Sequence, residues 1–222
     1  MTVIEVYADI WCPFAHVGLR SAAHRRNEVV GADAVLRVRA WPLELVNGKP
    51  LDPRTTAEHV ADLRAQVAPD LFAGFDPDHF PRTSLPALAV ALAAYRQSDR
   101  TGEVVSLALR DALFEEGRDI SRPEVLTRLA ERHGVGPPGP DDDRAVLAEW
   151  RDGQARSVKG SPHFFCGGRD VFCPSLDIAK DNTGHLQIQR NIDALDRFLT
   201  ECLEDEGAAA PDDDQHHFDK RV

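Results

Sequence analysis

The chain has 222 residues, 42% of them apolar and 28% charged, with a formal net charge of −11. That length carries one domain with a substantial core, or a domain with an insert, and the composition is ordinary for a folded globular chain. The acidic balance argues against nucleic acid or an anionic membrane as partner, since both ask for basic patches, and no apolar run is long enough to span a bilayer.

In chain order, the first 45 or so residues read as β-α-β. A strand near Val3–Ala8 leads into a helix from about Pro13 to Asn27. A second strand, Ala34–Ala40, alternates apolar and polar residues and is partly β-branched. Pro42 and the turn Asn47-Gly48-Lys49-Pro50 close this unit. Residues from about 51 to 155 read as helical. Thr55-Thr56 precedes a helix over Ala57–Val67, and Ser84 is placed to cap Leu85–Gln97. The next helix starts at Asp99 or Thr101 and passes Leu113. Ser121-Arg122-Pro123-Glu124 reads as a capping box before Val125–Ala130, and Asp141–Asp143 cap a helix through Trp150.

After Gly153 the pattern returns to β. His163-Phe164-Phe165-Cys166, a Gly167-Gly168 turn and Asp170-Val171-Phe172-Cys173 form a hairpin. A last helix from Ile192 to about Leu203 has one apolar face, and residues 207–222 are expected to be a disordered tail. This order predicts an α/β thioredoxin-like fold with a helical insertion. Residues 1–50 and 156–206 would form the thioredoxin-like part, and 51–155 the inserted helical domain.

Met1-Thr2-Val3-Ile4-Glu5 has no basic start and no cleavable apolar segment, so export by a signal peptide is not expected and a cytoplasmic setting follows. There the four cysteines, Cys12, Cys166, Cys173 and Cys202, should be mostly reduced. None of them has zinc-ligand spacing and the histidines do not cluster with them, so no metal site is expected.

The chemistry concentrates in Asp9-Ile10-Trp11-Cys12-Pro13-Phe14-Ala15-His16-Val17-Gly18. A Cys-Pro at a strand-to-helix junction puts a thiol at a helix N-terminus, where unpaired N–H groups and the helix dipole favour the thiolate. Pro13 suits the first helical position, where its missing N–H costs nothing. Ala15 stands where a Cys-x-x-Cys motif has its second cysteine, which removes simple dithiol chemistry. His16, four residues on, could face the thiol as His⁺ or pack as an aromatic-like ring. Asp9 could cap its loop or accept a proton; Trp11 and Phe14 could form an apolar lip or pack in the core.

The segment resembles the DsbA family, most closely its FrnE-like branch, which reads Asp-x-x-Cys-Pro-Trp-Cys-x-x-Gly. Asp9, Cys12, Pro13 and Gly18 match, Phe14 replaces Trp, and Ala15 departs. The related 2-hydroxychromene-2-carboxylate isomerases and kappa-class glutathione transferases carry Ser-Pro-(Tyr/Phe)-(Ser/Ala) here. Leu113–Ser121 resembles the family's helix-end motif in the insert, and Gly160-Ser161-Pro162 its cis-proline loop. The resemblance implies a cis Ser161–Pro162 bond beside the thiol, with the Ser161 backbone able to pair with a peptide or glutathione. Ser175 lies where kappa-class transferases hold the γ-glutamyl end of glutathione, but the Asp-Arg pair that follows it there is missing.

The candidate catalytic group is therefore Cys12, Pro13 and His16; the candidate substrate contacts are Trp11, Phe14, Ser161, Pro162 and Ser175. Cys166 and Cys173 should be offset along their hairpin and unbridged. Cys173 could resolve a Cys12 mixed disulfide or simply pack, while Cys202 reads as core. The expected function is a monothiol oxidoreductase. The alternatives are a glutathione-dependent isomerase or transferase on an aromatic small molecule, and a non-catalytic binding module. No tightly bound cofactor is expected, with glutathione as a candidate cosubstrate. Partners would be a small-molecule thiol or disulfide, or a protein disulfide; a homodimer is compatible with this reading.

Overall fold

Strands β1 (Thr2–Ala8) and β2 (Ala34–Ala40) pair in parallel, from Thr2 opposite Ala34 to Ala8 opposite Ala40. Parallel neighbours need a crossover, and α1 (Pro13–Val29) provides it. The structure, a computed structural model, describes residues 1–29, 34–182 and 185–208. Strand β3 (His163–Cys166) lies antiparallel to β1, and β4 (Arg169–Phe172) antiparallel to β3, giving the order β2-β1-β3-β4. The β3–β4 turn falls on Gly167 and Gly168, whose φ of 57° and 79° only glycine adopts freely. Central β1 is buried on both faces through Ile4, Val6, Tyr7 and Ala8. On one side Leu19 and Ala22 of α1 meet Phe164 and the apolar stripe Leu195, Phe198 and Leu199 of α8 (Ile192–Ala208).

Between β2 and β3 come α2 (Leu43–Asn47), α3 (Pro53–Gln66), a 3₁₀ turn at Pro77–His79, α4 (Leu85–Gln97), α5 (Asp99–Phe114), α6 (Pro123–Arg132) and α7 (Pro140–Ala155). Helix α4 is the axis of the insert: every residue from Ala87 to Tyr95 is buried, as an Ala/Leu/Val-rich helix without a polar face requires. The insert also closes the outer edge of β2. Glu103 Oε2 of α5 accepts from Leu36 N at 2.7 Å. The Tyr95 hydroxyl accepts from Val38 N at 2.8 Å and donates to Leu36 O at 2.9 Å. Glu149 Oε2 of α7 accepts from Ala40 N at 2.6 Å. An edge strand that would expose free backbone groups is thus paired by side chains.

Several boundaries differ from expectation. Asp52 caps α3, accepting from Thr55 N at 2.8 Å, so this helix starts at Pro53 rather than Ala57. Ser121 does not cap α6; it bonds Asp119, and Arg122 is the N-cap. Helix α7 is capped by Gly139 and continues to Ala155. Helix α8 extends to Ala208, into the first two residues of the expected tail; residues 209–222 lie outside the described residues. A second sheet went unpredicted: β5 (Leu176–Lys180) and β6 (Leu186–Arg190) pair antiparallel. Gln66 of α3 holds β6 through Leu186 O and Ile188 N. Only Leu176, Leu186 and Ile188 of this hairpin are buried, too few for an alternating pattern to show.

The expectation of reduced cysteines also needs correction. Cys166 at the end of β3 and Cys202 on α8 form a disulfide with Cα atoms 5.5 Å apart. Helix α8 packs across the sheet and brings together two residues 36 positions apart, which spacing along the chain could not show. Cys12 and Cys173 are free. Among the described residues, no helix is long and apolar enough to cross a membrane.

Candidate active site

The turn from β1 into α1 places Cys12 just ahead of the helix and Pro13 at its first position. The first helical bond runs from His16 N to Cys12 O, 3.0 Å. The thiol donates to the carbonyl of Ser161, 3.2 Å away, and the Ser161–Pro162 bond is cis, as the resemblance implies. Ser161 Oγ accepts from Asp9 N at 2.9 Å, so the thiol loop and the proline loop are bonded twice. Gly18, further along α1, leaves little room for a side chain: a Cβ there would stand 3.2 Å from Pro162 Cγ and 3.3 Å from Ser175 Oγ.

Cys12 is only 4% exposed. Burial pushes its thiol above the ordinary value, and the Asp9 charge adds to that; the N–H groups of Ala15 and Phe14 pull the other way without prevailing. The expectation of a depressed thiol is therefore corrected: the helix start is present, but desolvation outweighs it. Asp9 is fully buried, and burial raises its carboxyl to about 6. Its Oδ2 accepts from Leu43 N, the first residue of α2, at 2.5 Å. Its carbonyl accepts from the Arg110 guanidinium of α5 at 3.2 Å.

His16 is engaged by the insert. It is 1% exposed, packs between Phe72 and Phe114, and pairs through Nε2 with Glu115 Oε1 at 2.7 Å. Burial lowers its pKa against the opposing pull of Glu115. Glu115 also accepts from the N–H groups of Phe72 and Ala73. Burial alone would raise this carboxyl, but the three donors hold it down to about 2. His16 is thus packed between aromatic rings and hydrogen-bonded to Glu115.

Trp11 is fully buried and stacked on Phe80, rings 5.7 Å apart, so it floors the insert instead of forming a lip. Phe14 is half-buried, tilts against His59 at 5.3 Å and packs on both apolar clusters, at the junction of the two parts. Ser175 is 1% exposed behind Gly18, and its Oγ is buried without a hydrogen-bond partner. Cys173 follows β4 with a φ of 47° and donates its N–H to Pro162 O at 3.0 Å. It is buried, and burial, with the Cys12 charge, pushes its thiol up to about 12. Strand β3 lies between β1, which leads to Cys12, and β4, which leads to Cys173.

A family model for DSBA-like thioredoxin domains matches residues 3–181. The chain belongs to that family. Among solved structures, this DSBA-like thioredoxin domain is similar to the cytosolic disulfide reductase DsbM from Pseudomonas aeruginosa, with 18% identity, 91% of this chain and 98% of that one covered, and a TM-score of 0.58. The same reductase with GSH matches over 91% and 99% of the two chains at the same identity and TM-score. A 2-hydroxychromene-2-carboxylate isomerase matches with 13% identity, 94% and 100% coverage and a TM-score of 0.60. At these identities the likeness is one of fold. No curated protein matches the sequence closely enough to count as a relative.

Within the DSBA-like frame, two residues of the insert were missed by sequence reasoning. Glu115 lies in the Leu113–Ser121 motif, which was the available signal. Arg110 had none: a cation in the middle of an amphipathic helix reads as surface.

Proposed function

We propose that the protein is a thiol-disulfide oxidoreductase that works through Cys12 alone. The observation that carries this is the Cys12 thiol at the start of α1, held against the Ser161 carbonyl, with buried Ala15 where a resolving cysteine would stand. Cys12 gives up its proton to a solvent base, and its sulfur attacks one sulfur of a substrate disulfide. That S–S bond breaks, and the departing thiolate takes up a proton. The Cys12 mixed disulfide then awaits a second, external thiolate, which attacks it, releases Cys12 and completes the exchange. Cys173 is free and buried, and burial raises its thiol to about 12, which leaves it little thiolate for that second step. Because Cys12 is only 4% exposed, a substrate disulfide has to displace part of its surroundings to reach the sulfur.

Glutathione is the natural external thiol to test, since the structurally similar DsbM was solved with GSH. Oxidised glutathione is expected to add a single glutathione at Cys12, read by intact mass and peptide mapping, and Cys12→Ser is expected to take none. With Ala15 in place, the adduct should persist until an added thiol removes it. Absence of an adduct on the wild type, or an equal adduct on Cys12→Ser, overturns the assignment. An adduct that converts within minutes to a Cys12–Cys173 disulfide overturns the single-thiol part.

A further inference from the structure

Arg110 is 0% exposed, yet no carboxylate lies within ion-pair distance of it among the described residues. Its Nη1 donates to the carbonyl and hydroxyl of Ser106, one turn back, at 2.8 and 2.7 Å. Its Nη2 donates to the carbonyl of Asp9 at 3.2 Å, across the junction between insert and sheet. Its Nε is buried without a partner. All its acceptors are neutral, which is an expensive way to bury a guanidinium, because such charges are ordinarily paired. Ser106 and Arg110 share a face of α5 with Glu103, whose carboxylate caps β2, so this face is polar where a packed helix would be apolar. A hydrocarbon side chain would fill the space at far lower cost if packing were its only duty.

The ionisable groups facing Arg110 are Asp9 and Cys12 from the β1–α1 turn, Tyr95 from α4 and Asp111 beside it on α5. Tyr95 is committed to Leu36 and Val38 as a neutral hydroxyl. The Asp111 carboxylate pairs with Arg20. Asp9 and Cys12 remain, both buried and each opposing a negative charge on the other. Resting on the reading of Cys12 as nucleophile, we propose that Arg110 is a positioning residue of this site. It fixes the Asp9 carbonyl at the base of the thiol loop and supplies the buried positive charge against which Cys12 ionises. The insert thereby takes part in thiol chemistry as well as covering the sheet edge. Although burial lowers its pKa to about 10, Arg110 stays charged at neutral pH.

The test is the rate of Cys12 alkylation by iodoacetamide from about pH 6 to about pH 10, followed on the Cys12 peptide, in wild type, Arg110→Met and Arg110→Lys. Alkylation reads the thiolate fraction whether or not Cys12 exchanges disulfides, so failure of the oxidoreductase reading leaves this test intact. A unit charge removed at several ångströms inside a protein should move the profile up by about one pH unit, about tenfold in rate at a given pH below the thiol pKa. Arg110→Lys keeps the charge and should stay within about half a unit of wild type. A folded Arg110→Met with an unshifted or lowered profile overturns the proposal. Should Arg110→Met not fold, Arg110→Lys decides: a profile displaced upward by a full unit overturns the charge argument, and one at the wild-type position supports it.

Discussion

At the scale of single residues, Ala15 is the position that tests the proposed single-thiol chemistry. Ala15 is buried beside Cys12 in the sheet-side cluster, and a cysteine there adds only a sulfur atom. Wild type is expected to reduce insulin slowly with dithiothreitol, and Ala15→Cys to raise the rate by restoring internal resolution. Turbidity assays decide it; rapid wild-type turnover that survives Cys173→Ser would remove the basis for a lone thiol. Gly18→Ala is a sharper probe of the loop geometry. Its new methyl presses on Pro162 and Ser175 at 3.2–3.3 Å, so these side chains must give by a few tenths of an ångström. Destabilisation of about 1–3 kcal/mol by denaturant titration is expected, together with slower alkylation of Cys12. Free tolerance of alanine would show that the α1–loop contact is slack.

At the scale of elements, the Glu115 carboxylate ties three segments together: His16 of α1, the Phe72–Ala73 backbone, and its own place at the end of α5. Its folded pKa of about 2 lies below the ordinary value of 4.5, so the unfolded chain binds more protons between these limits. Stability from this group is complete above about 4.5 and is lost as pH falls toward 2. His16, lowered by burial, acts in the same sense just below its usual 6.5. Asp9, raised from 3.8 to about 6, works in the opposite sense, since the folded state holds its proton longer and stability falls as pH rises through that window. Glu115→Gln should cost about 2–4 kcal/mol at neutral pH and flatten the acid limb of stability between pH 4.5 and 2. Unfolding curves across pH test this; an unchanged acid limb would place the acid sensitivity elsewhere. The link between β3 and α8 is covalent. Cys202→Ser is expected to lower stability by about 2–4 kcal/mol under oxidising conditions and by much less once wild type is reduced. Equal losses under both conditions would assign the effect to packing.

At the scale of the whole molecule, the insert and the sheet are joined by polar anchors at their junction: Glu103, Tyr95 and Glu149 on the edge of β2, and Arg110 on the Asp9 carbonyl. Tyr95→Phe leaves Val38 N and Leu36 O unpaired in a dry interface, at a cost of about 1–3 kcal/mol each. Hydrogen exchange at Val38 should rise with it, and exchange confined to global unfolding would show the junction to be held by packing instead.

The local signals in the sequence determined a good deal. The β-α-β start, the Ala/Leu-rich helix at Leu85–Gln97, the Gly-Gly hairpin and the Cys-Pro junction are each specified by residues within a few positions of one another, through turn chemistry, periodicity and helix-start preference. The tertiary structure decided what depends on partners far along the chain. It buried Cys12 deeply enough for desolvation to outweigh its helix position, and turned His16 toward Glu115, 99 residues away. It drew Cys166 and Cys202 together across 36 residues and set Arg110 beneath Asp9 across 101. Pattern along a chain encodes the face a residue presents, but burial, charge pairing and disulfide geometry follow from what packs against that face.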